Sequence, residues 1–188
     1  LVAEVGQTVN LTVLEKSSVV YLDRVESAWP LRMTLQPGSR VPLHCTAGGV
    51  LLLAFLPTAR RRRILAALEL TRYTGNTLVD RAALEAELAA IRRTGFATDN
   101  EEYLAGVVCV AVPVAAGTVR AAAAVAVHAP VARLTLAHAL TLVPALRRAA
   151  DALGAALADD AGGTPRAAPR AAPRVSSGNG ARRAVARG

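Results

Sequence analysis

Apolar and polar positions change period several times along the 188 residues, and each change marks an element. Leu1–Val5 reads as the last turn of a helix, closed by Gly6. Val9, Leu11 and Val13 alternate with Asn10 and Thr12, the period of a half-buried strand. Glu15–Ser18 supply a turn, Val19–Val25 a second strand, and Leu31–Leu35 a short third one between Pro30 and the Pro37-Gly38 turn. In VPLHCTAGGVLLLAFLP, residues 41–57, a helix begins at Cys45, Thr46 or Ala47, carries Gly48 and Gly49 in its first turn and stops at Pro57. Thr58–Leu70 continues as another helix, with Arg60–Arg63 as a solvated face beside Ile64, Leu65 and Leu68. After a loop at Tyr73–Thr77, Asp80 caps an amphipathic helix whose stripe is Leu84, Leu88 and Ile91, ended by Gly95.

The stretch that follows, GFATDNEEYLAGVVCVA, spans Gly95–Ala111. Phe96–Thr98 begin an extended segment, Asp99, Glu101 and Glu102 cross a polar corner, and Val107–Val114 return as a strand buried on both faces. Val119–Val127 complete a hairpin across Ala115-Ala116-Gly117-Thr118. If Ala115 pairs with Thr118, Cys109 faces Ala124 and Val107 faces Ala126. Val107, Cys109, Ala124, Ala126 and His128 then share one side of the sheet. Thr135 caps a long last helix with the stripe Leu136, Leu140, Val143, Leu146, Ala150, Leu153, Leu157, kinked at Pro144. These elements predict one α/β (α+β) domain over residues 1–158. From Asp159 the chain is an Ala/Pro/Arg-rich repeat too poor in core-forming residues to fold, so 159–188 is expected to be a disordered basic tail.

Composition narrows the function classes. The content is 53% apolar with only six aromatics, so the core is aliphatic and alanine-rich. Net charge is +8, but residues 1–158 hold 16 basic and 12 acidic groups while 159–188 hold 6 and 2. Half of the excess therefore lies in the tail, which argues against a nucleic-acid-reading surface in the folded part. Cys45 and Cys109 do not form a disulfide framework and read as reduced thiols of a cytoplasmic protein. The most apolar stretch, Leu104–Val119, is broken by Gly106, Pro113 and Gly117, so no membrane span is expected.

Three chemistries deserve weighing. Glycines in a helix's first turn cost ~1 kcal/mol each relative to alanine. They either open free backbone N–H groups to a carboxylate or let another element pack closely. Asp99, Cys109 and His128 could form a nucleophile with its base and orienter, which would require a lowered thiol pKa. His44, Cys45, Cys109 and His128 could ligate zinc, though without CxxC or HxxxH spacing.

Gly95, Asp99, Glu102, Cys109, Val110, Ala111 and Val114 stand where the signature of the IclR family of bacterial transcription regulators wants them. The phrases VNLTVLE, VVYLDRVES and LRM resemble that family's effector domains in the expected order. Ala115 and Ala116 depart from it at the hairpin. The resemblance covers about residues 1–157 and implies a GAF-like fold, an antiparallel sheet flanked by helices, with a small-ligand pocket. It implies an effector site with Val107 and Cys109 as floor, Asp99 on the ligand, the amides of Ala47 and Gly48 at the helix start, and Met33 and Val41 as apolar wall. Ala126 and His128 stand where the family often carries serine. The implied function is effector sensing in a self-associating regulator, a dimer or tetramer, that takes a small organic acid, with no cofactor and no enzymatic role. A protonated His128 would add a charge-assisted bond to the acid. DNA would be read through a helix-turn-helix domain not present in this chain. The alternative is a stand-alone GAF-like ligand-binding or Cys/His-dependent enzyme domain.

Overall fold

The computed structural model describes residues 1–27 and 35–162, with backbone alone from 160. The expected strand at Leu31–Leu35 falls almost wholly outside them, as does Met33. In chain order the elements are α1 (Val2–Val5), β1 (Thr8–Glu15), β2 (Ser18–Val25), β3 (Arg40–Val41), α2 (Ala47–Phe55), α3 (Thr58–Ala67), α4 (Arg81–Thr94), β4 (Ala97–Asn100), β5 (Val107–Ala116), β6 (Val119–Pro130), α5 (Leu136–Thr141) and α6 (Val143–Gly162). The strands form one antiparallel sheet in the order β3-β2-β1-β6-β5-β4.

Helices cover both faces of this sheet, and alternation along β5 and β6 decides which residues meet which helix. Val108, Val110, Val112 and Val114 pack with Val125, Val127, Leu134 and Leu146 against α5 and α6. The opposite face is built of smaller groups, with Ala97, Ala111, Ala124 and Ala126 beneath the leucines of α2 and α4. Small side chains let α2 lie close to the strands. Asp80 accepts a hydrogen bond from Ala83 N at 2.7 Å, Leu84, Leu88 and Ile91 are buried, and Gly95 closes α4 at φ 74°.

Four expectations need correction. The hairpin pairs Cys109 with His128 and Val107 with Pro130, four residues away from the expected register. Ala116 pairs with Val119 across a two-residue turn at Gly117-Thr118, and the ladder then shifts by two more residues between Val114 and Ala116. Because each displacement is even, no side chain changes face. Asp99 belongs to β4, paired with Cys109, and the corner begins only at Glu101. The last helix is broken into α5 and α6 rather than kinked, since Pro144 has no N–H for Leu140 O and its ring crowds that carbonyl. Leu140 is accordingly exposed, and Ala139 takes its place in the core. The boundary expected at Asp159 lies inside α6, which continues to Gly162.

Candidate functional site

The start of α2 is a helix end without its usual side-chain cap. Thr46 holds the N-cap position in extended geometry, yet its hydroxyl donates backward to Pro42 O at 2.7 Å and accepts nothing from the first turn. No acidic residue lies in that turn. Both glycines behind it are closely approached, Gly49 by backbone and Gly48 by a single side-chain hydroxyl. A Cβ on Gly48 would stand 2.8 Å from Thr12 Oγ1, and one on Gly49 would stand 2.4 Å from Leu43 O. The helix start therefore lies directly on β1.

A cavity opens where that helix start meets the sheet, with about 460 Å³ of free space including its mouth. Thr46, Ala47 and Gly48 form one end. Asp99, Cys109 and His128 form a cross-strand row over β4, β5 and β6, with Ala126 and Val107 beside it. Val19, Tyr21 and Val41 close the β2–β3 side, and Tyr103 and Leu104 come from the corner after β4. That corner is laced to the loop before α4. Thr77 Oγ1 donates to Glu102 O at 2.6 Å, Thr74 Oγ1 to Glu101 O at 2.7 Å, and Tyr73 meets Tyr103 edge-to-face at 5.1 Å. Asp99 ties the corner from below, its Oδ1 accepting from Glu102 N at 2.7 Å.

Electrostatics follow from burial. Asp99 is only 6% exposed. Its burial raises the carboxyl pKa to about 7 against two backbone hydrogen bonds that favour the charge. Glu102 rises to about 7 through burial and the neighbouring Asp99. Burial pushes the Cys45 thiol up to about 12 and holds Cys109 well above the ordinary thiol range, with Asp99 adding to both. His128 falls to about 4 through burial and the adjacent Arg24 cation. Arg24 Nη1 lies 3.4 Å from His128 Nε2, and the Asn10 amide lies 2.8 Å from Nδ1. A guanidinium can only donate, so Nε2 accepts and the neutral ring carries its proton on Nδ1. A half-turn of the Asn10 amide then sets its otherwise unpartnered oxygen toward that proton. His128 is thus neutral with both nitrogens committed, which corrects the expectation of a protonated ligand contact.

The same facts decide against the nucleophile reading. Asp99, Cys109 and His128 do lie in a row, but the thiol is held protonated and the imidazole has no free acceptor for its proton. His44 bonds to Thr71 O at 2.8 Å and lines a different cleft. Among the described residues no three His, Cys, Asp or Glu side chains gather as a metal cluster.

Of the residues expected to form the site, Val41, Ala47, Gly48, Asp99, Val107, Cys109, Ala126 and His128 all line this one cavity, and Met33 is outside the described residues. Thr12, Tyr21 and Tyr103 line it too and were missed. In the sequence Asn10 and Thr12 are simply the polar side of a half-buried strand, yet both are buried here, Thr12 on the cavity and Asn10 against His128. No helix among the described residues is long and apolar enough to cross a membrane.

Residues 1–155 match the family profile described as bacterial transcriptional regulator IclR C-terminal. The chain is similar to the probable transcriptional regulator SauR of Cupriavidus necator, at 54% identity over 80% of this chain and 60% of that protein. It therefore spans about 60% of that relative's length. Its fold is similar to Thermotoga maritima IclR, with TM-score 0.78 and 31% identity over 83% of this chain and 63% of that one. It is also similar to a double mutant of the PobR inducer binding domain from Acinetobacter, solved with 3-hydroxybenzoic acid, with TM-score 0.74 and 27% identity over 81% and 90%.

Proposed function

The chain belongs to the IclR family of regulators, as a C-terminal effector-binding domain, and from that premise we propose that its cavity senses a small organic acid. The observation that carries this reading is the start of α2, which has no side-chain cap and whose residues Thr46, Ala47 and Gly48 line the cavity. The ligand carboxylate lies against the amides of Ala47 and Gly48. Val41 and Val107 contact its apolar part, Cys109, Ala126 and the ring of His128 form the floor, and Asp99 meets its other end. None of the described residues lining the cavity is a lysine or arginine. Asp99 therefore accompanies an anionic ligand in its protonated form and donates to it, so affinity declines above about pH 7. A structural neighbour whose inducer binding domain holds a hydroxybenzoic acid supports an acid as the ligand. The domain is the sensing half of a cytoplasmic, self-associating transcription regulator. DNA sequence is read by a helix-turn-helix unit outside residues 1–188, not by the elements described above.

Calorimetry against a panel of small keto, hydroxy and aromatic acids tests this. Ala47 is the first residue of α2, and Thr46 before it is already extended, so Ala47→Pro keeps the helix while removing one amide donor. Affinity should drop by roughly 10- to 100-fold, as expected for one lost hydrogen bond to a charged group. Equal affinity in wild type and Ala47→Pro would place the acid elsewhere.

A further inference from the structure

One polar group on the wall of the sensing cavity has no partner among the described residues. Tyr21, on β2, stands opposite Thr12 of β1, lines the cavity and is only 9% exposed. Its hydroxyl makes no hydrogen bond among the described residues. Asn10 Oδ1, Arg24 Nε and His44 Nδ1 lack a hydrogen bond too, but those atoms are sealed inside the protein. The Tyr21 oxygen is not one of them and keeps accessible surface.

The side chain leans over the cavity. In the order β3-β2-β1-β6-β5-β4, Cys109 on β5 lies three strands from Tyr21 and Asp99 on β4 lies four. Both nevertheless act on the phenol, as do Arg24 and Tyr103. Burial first, and then Cys109, hold it above the ordinary phenol range against the opposing Arg24 cation, so it remains an O–H donor. The other buried polar side chains of the cavity wall are engaged. Thr46 donates to Pro42 O at 2.7 Å, Asp99 Oδ1 accepts from Glu102 N at 2.7 Å, and Thr12 reaches Ala124 O at 3.4 Å. Both nitrogens of His128 are committed to Asn10 and Arg24. Tyr21 alone among them is left to solvent or to a ligand. A buried donor left unpaired costs free energy, so whatever enters the cavity either supplies an acceptor or loses affinity.

We propose that Tyr21 sets the specificity of the cavity, selecting acids that carry an uncharged oxygen, oxo or hydroxyl, over plain acids of the same skeleton. This rests on the reading of the cavity as an acid sensor. The carboxylate lies against the start of α2, and the second oxygen accepts the Tyr21 O–H. A plain chain displaces water from that hydroxyl and puts no acceptor in its place.

The probes are matched pairs that differ by one oxygen: 2-oxobutanoate and butanoate, 4-oxopentanoate and pentanoate, 3-hydroxybenzoate and benzoate. Each is titrated calorimetrically into the full chain and into its Y21F variant. In the wild type, the oxygenated member of a pair that binds should be favoured roughly 3- to 10-fold, the worth of one neutral hydrogen bond. Y21F should erase that preference by weakening the oxygenated acid alone, with no loss of affinity for the plain one. Since the hydroxyl has no protein partner to lose, ligand-free Y21F should melt no lower than the wild type. Equal affinities within every pair in the wild type, an equal loss for both members in Y21F, or a melting temperature several degrees lower would each overturn the role of Tyr21. In those cases continued binding of an acid would leave the sensing function standing. Absence of binding by all of these acids would instead overturn the acid-sensing reading, and the role of Tyr21 with it.

Discussion

The two faces of the central sheet are built from the same strands to opposite ends. On the α5–α6 face, β5 and β6 present mostly valines, and they pack in an aliphatic cluster with Leu134, Val143 and Leu146. On the α2 face the same strands present alanine, Cys109 and His128, and Asn10, Thr12 and Asp99 are buried beside them. Buried polar groups cost free energy unless satisfied, and here Asn10 and Arg24 hold the His128 ring from its two nitrogens while Asp99 holds the corner of Glu102, though Asn10 Oδ1 and Arg24 Nε find no hydrogen bond among the described residues. One face is thus core throughout, and the other divides between the leucines of α2 and α4 and a polar cavity held in a defined shape. Alternation within single strands keeps the two apart.

If that division is real, a cut in the aliphatic face should cost much stability and no affinity. Leu146 on α6 is fully buried among valines. Leu146→Ala should lower unfolding free energy by about 2–5 kcal/mol in urea denaturation. Affinity for the acid ligand should stay within about twofold of wild type, well under the 1.4 kcal/mol that a tenfold change represents. A large loss of affinity would mean that the faces are mechanically coupled.

The polar face should show itself in pH dependence. Asp99 is raised from 3.8 to about 7, so between those values the native state holds a proton that the unfolded chain has lost. Its contribution therefore lowers stability as pH rises through that window, and Glu102 acts in the same direction. His128 is depressed from 6.5 to about 4, so between those values the unfolded chain holds the extra proton. Its contribution is lost as pH falls. Each amounts to roughly 3–5 kcal/mol at ~1.4 kcal/mol per pH unit, and over the shared window they oppose each other. Between about pH 4 and 6.5, Asp99→Asn should be more acid-sensitive than wild type in thermal melts, and His128→Gln less so. Parallel profiles for all three proteins would mean that neither group is perturbed.

Much of this division was legible in the sequence, for a reason that also limits it. Alternation assigns faces, and Val107, Cys109, Ala124, Ala126 and His128 share one in the structure even though the hairpin register was misplaced by four. Any even error preserves faces, so the set of cavity residues outlived the wrong pairing. What alternation cannot show is whether the polar side of a strand meets water or a cavity. Asn10 and Thr12 therefore passed for solvent-facing positions on β1, and Tyr21 for an ordinary strand residue. β3 is two residues long and exists only through pairing with Val19 and Val20, which no local pattern encodes.

The glycines of α2 sharpen the comparison further, because they are neighbours with different obstacles. A methyl group on Gly49 would meet Leu43 O at 2.4 Å, Thr46 Oγ1 at 2.6 Å and Leu43 Cα at 2.8 Å. Two of these atoms are backbone and cannot rotate away. Gly49→Ala should therefore cost about 1–3 kcal/mol, the range for overpacking, despite a gain in helix propensity. Thermal or urea denaturation measures it, and a neutral result would mean that the Leu43 segment yields easily.

Gly48→Ala should be the mildest in stability and the most informative about the site. Its methyl group would meet the Thr12 hydroxyl at 2.8 Å, with Thr12 Cβ at 3.8 Å and Ala124 Cβ at 4.0 Å, both ordinary contacts. The hydroxyl's hydrogen bond to Ala124 O is long, at 3.4 Å, so turning it away loses little. Helix propensity returns up to ~1 kcal/mol, and the net change should lie within about 1 kcal/mol of zero. Thr12 lines the sensing cavity, however, and a displaced hydroxyl there changes the space that the ligand occupies. Affinity for the acid should then fall several-fold while urea denaturation barely moves, the mirror image of Leu146→Ala. Restored affinity in the double variant Gly48→Ala, Thr12→Ser, whose smaller side chain can yield, would identify the clash as the cause. If Gly48→Ala instead leaves affinity untouched, the acid does not approach this end of α2, and the helix start is close packing alone.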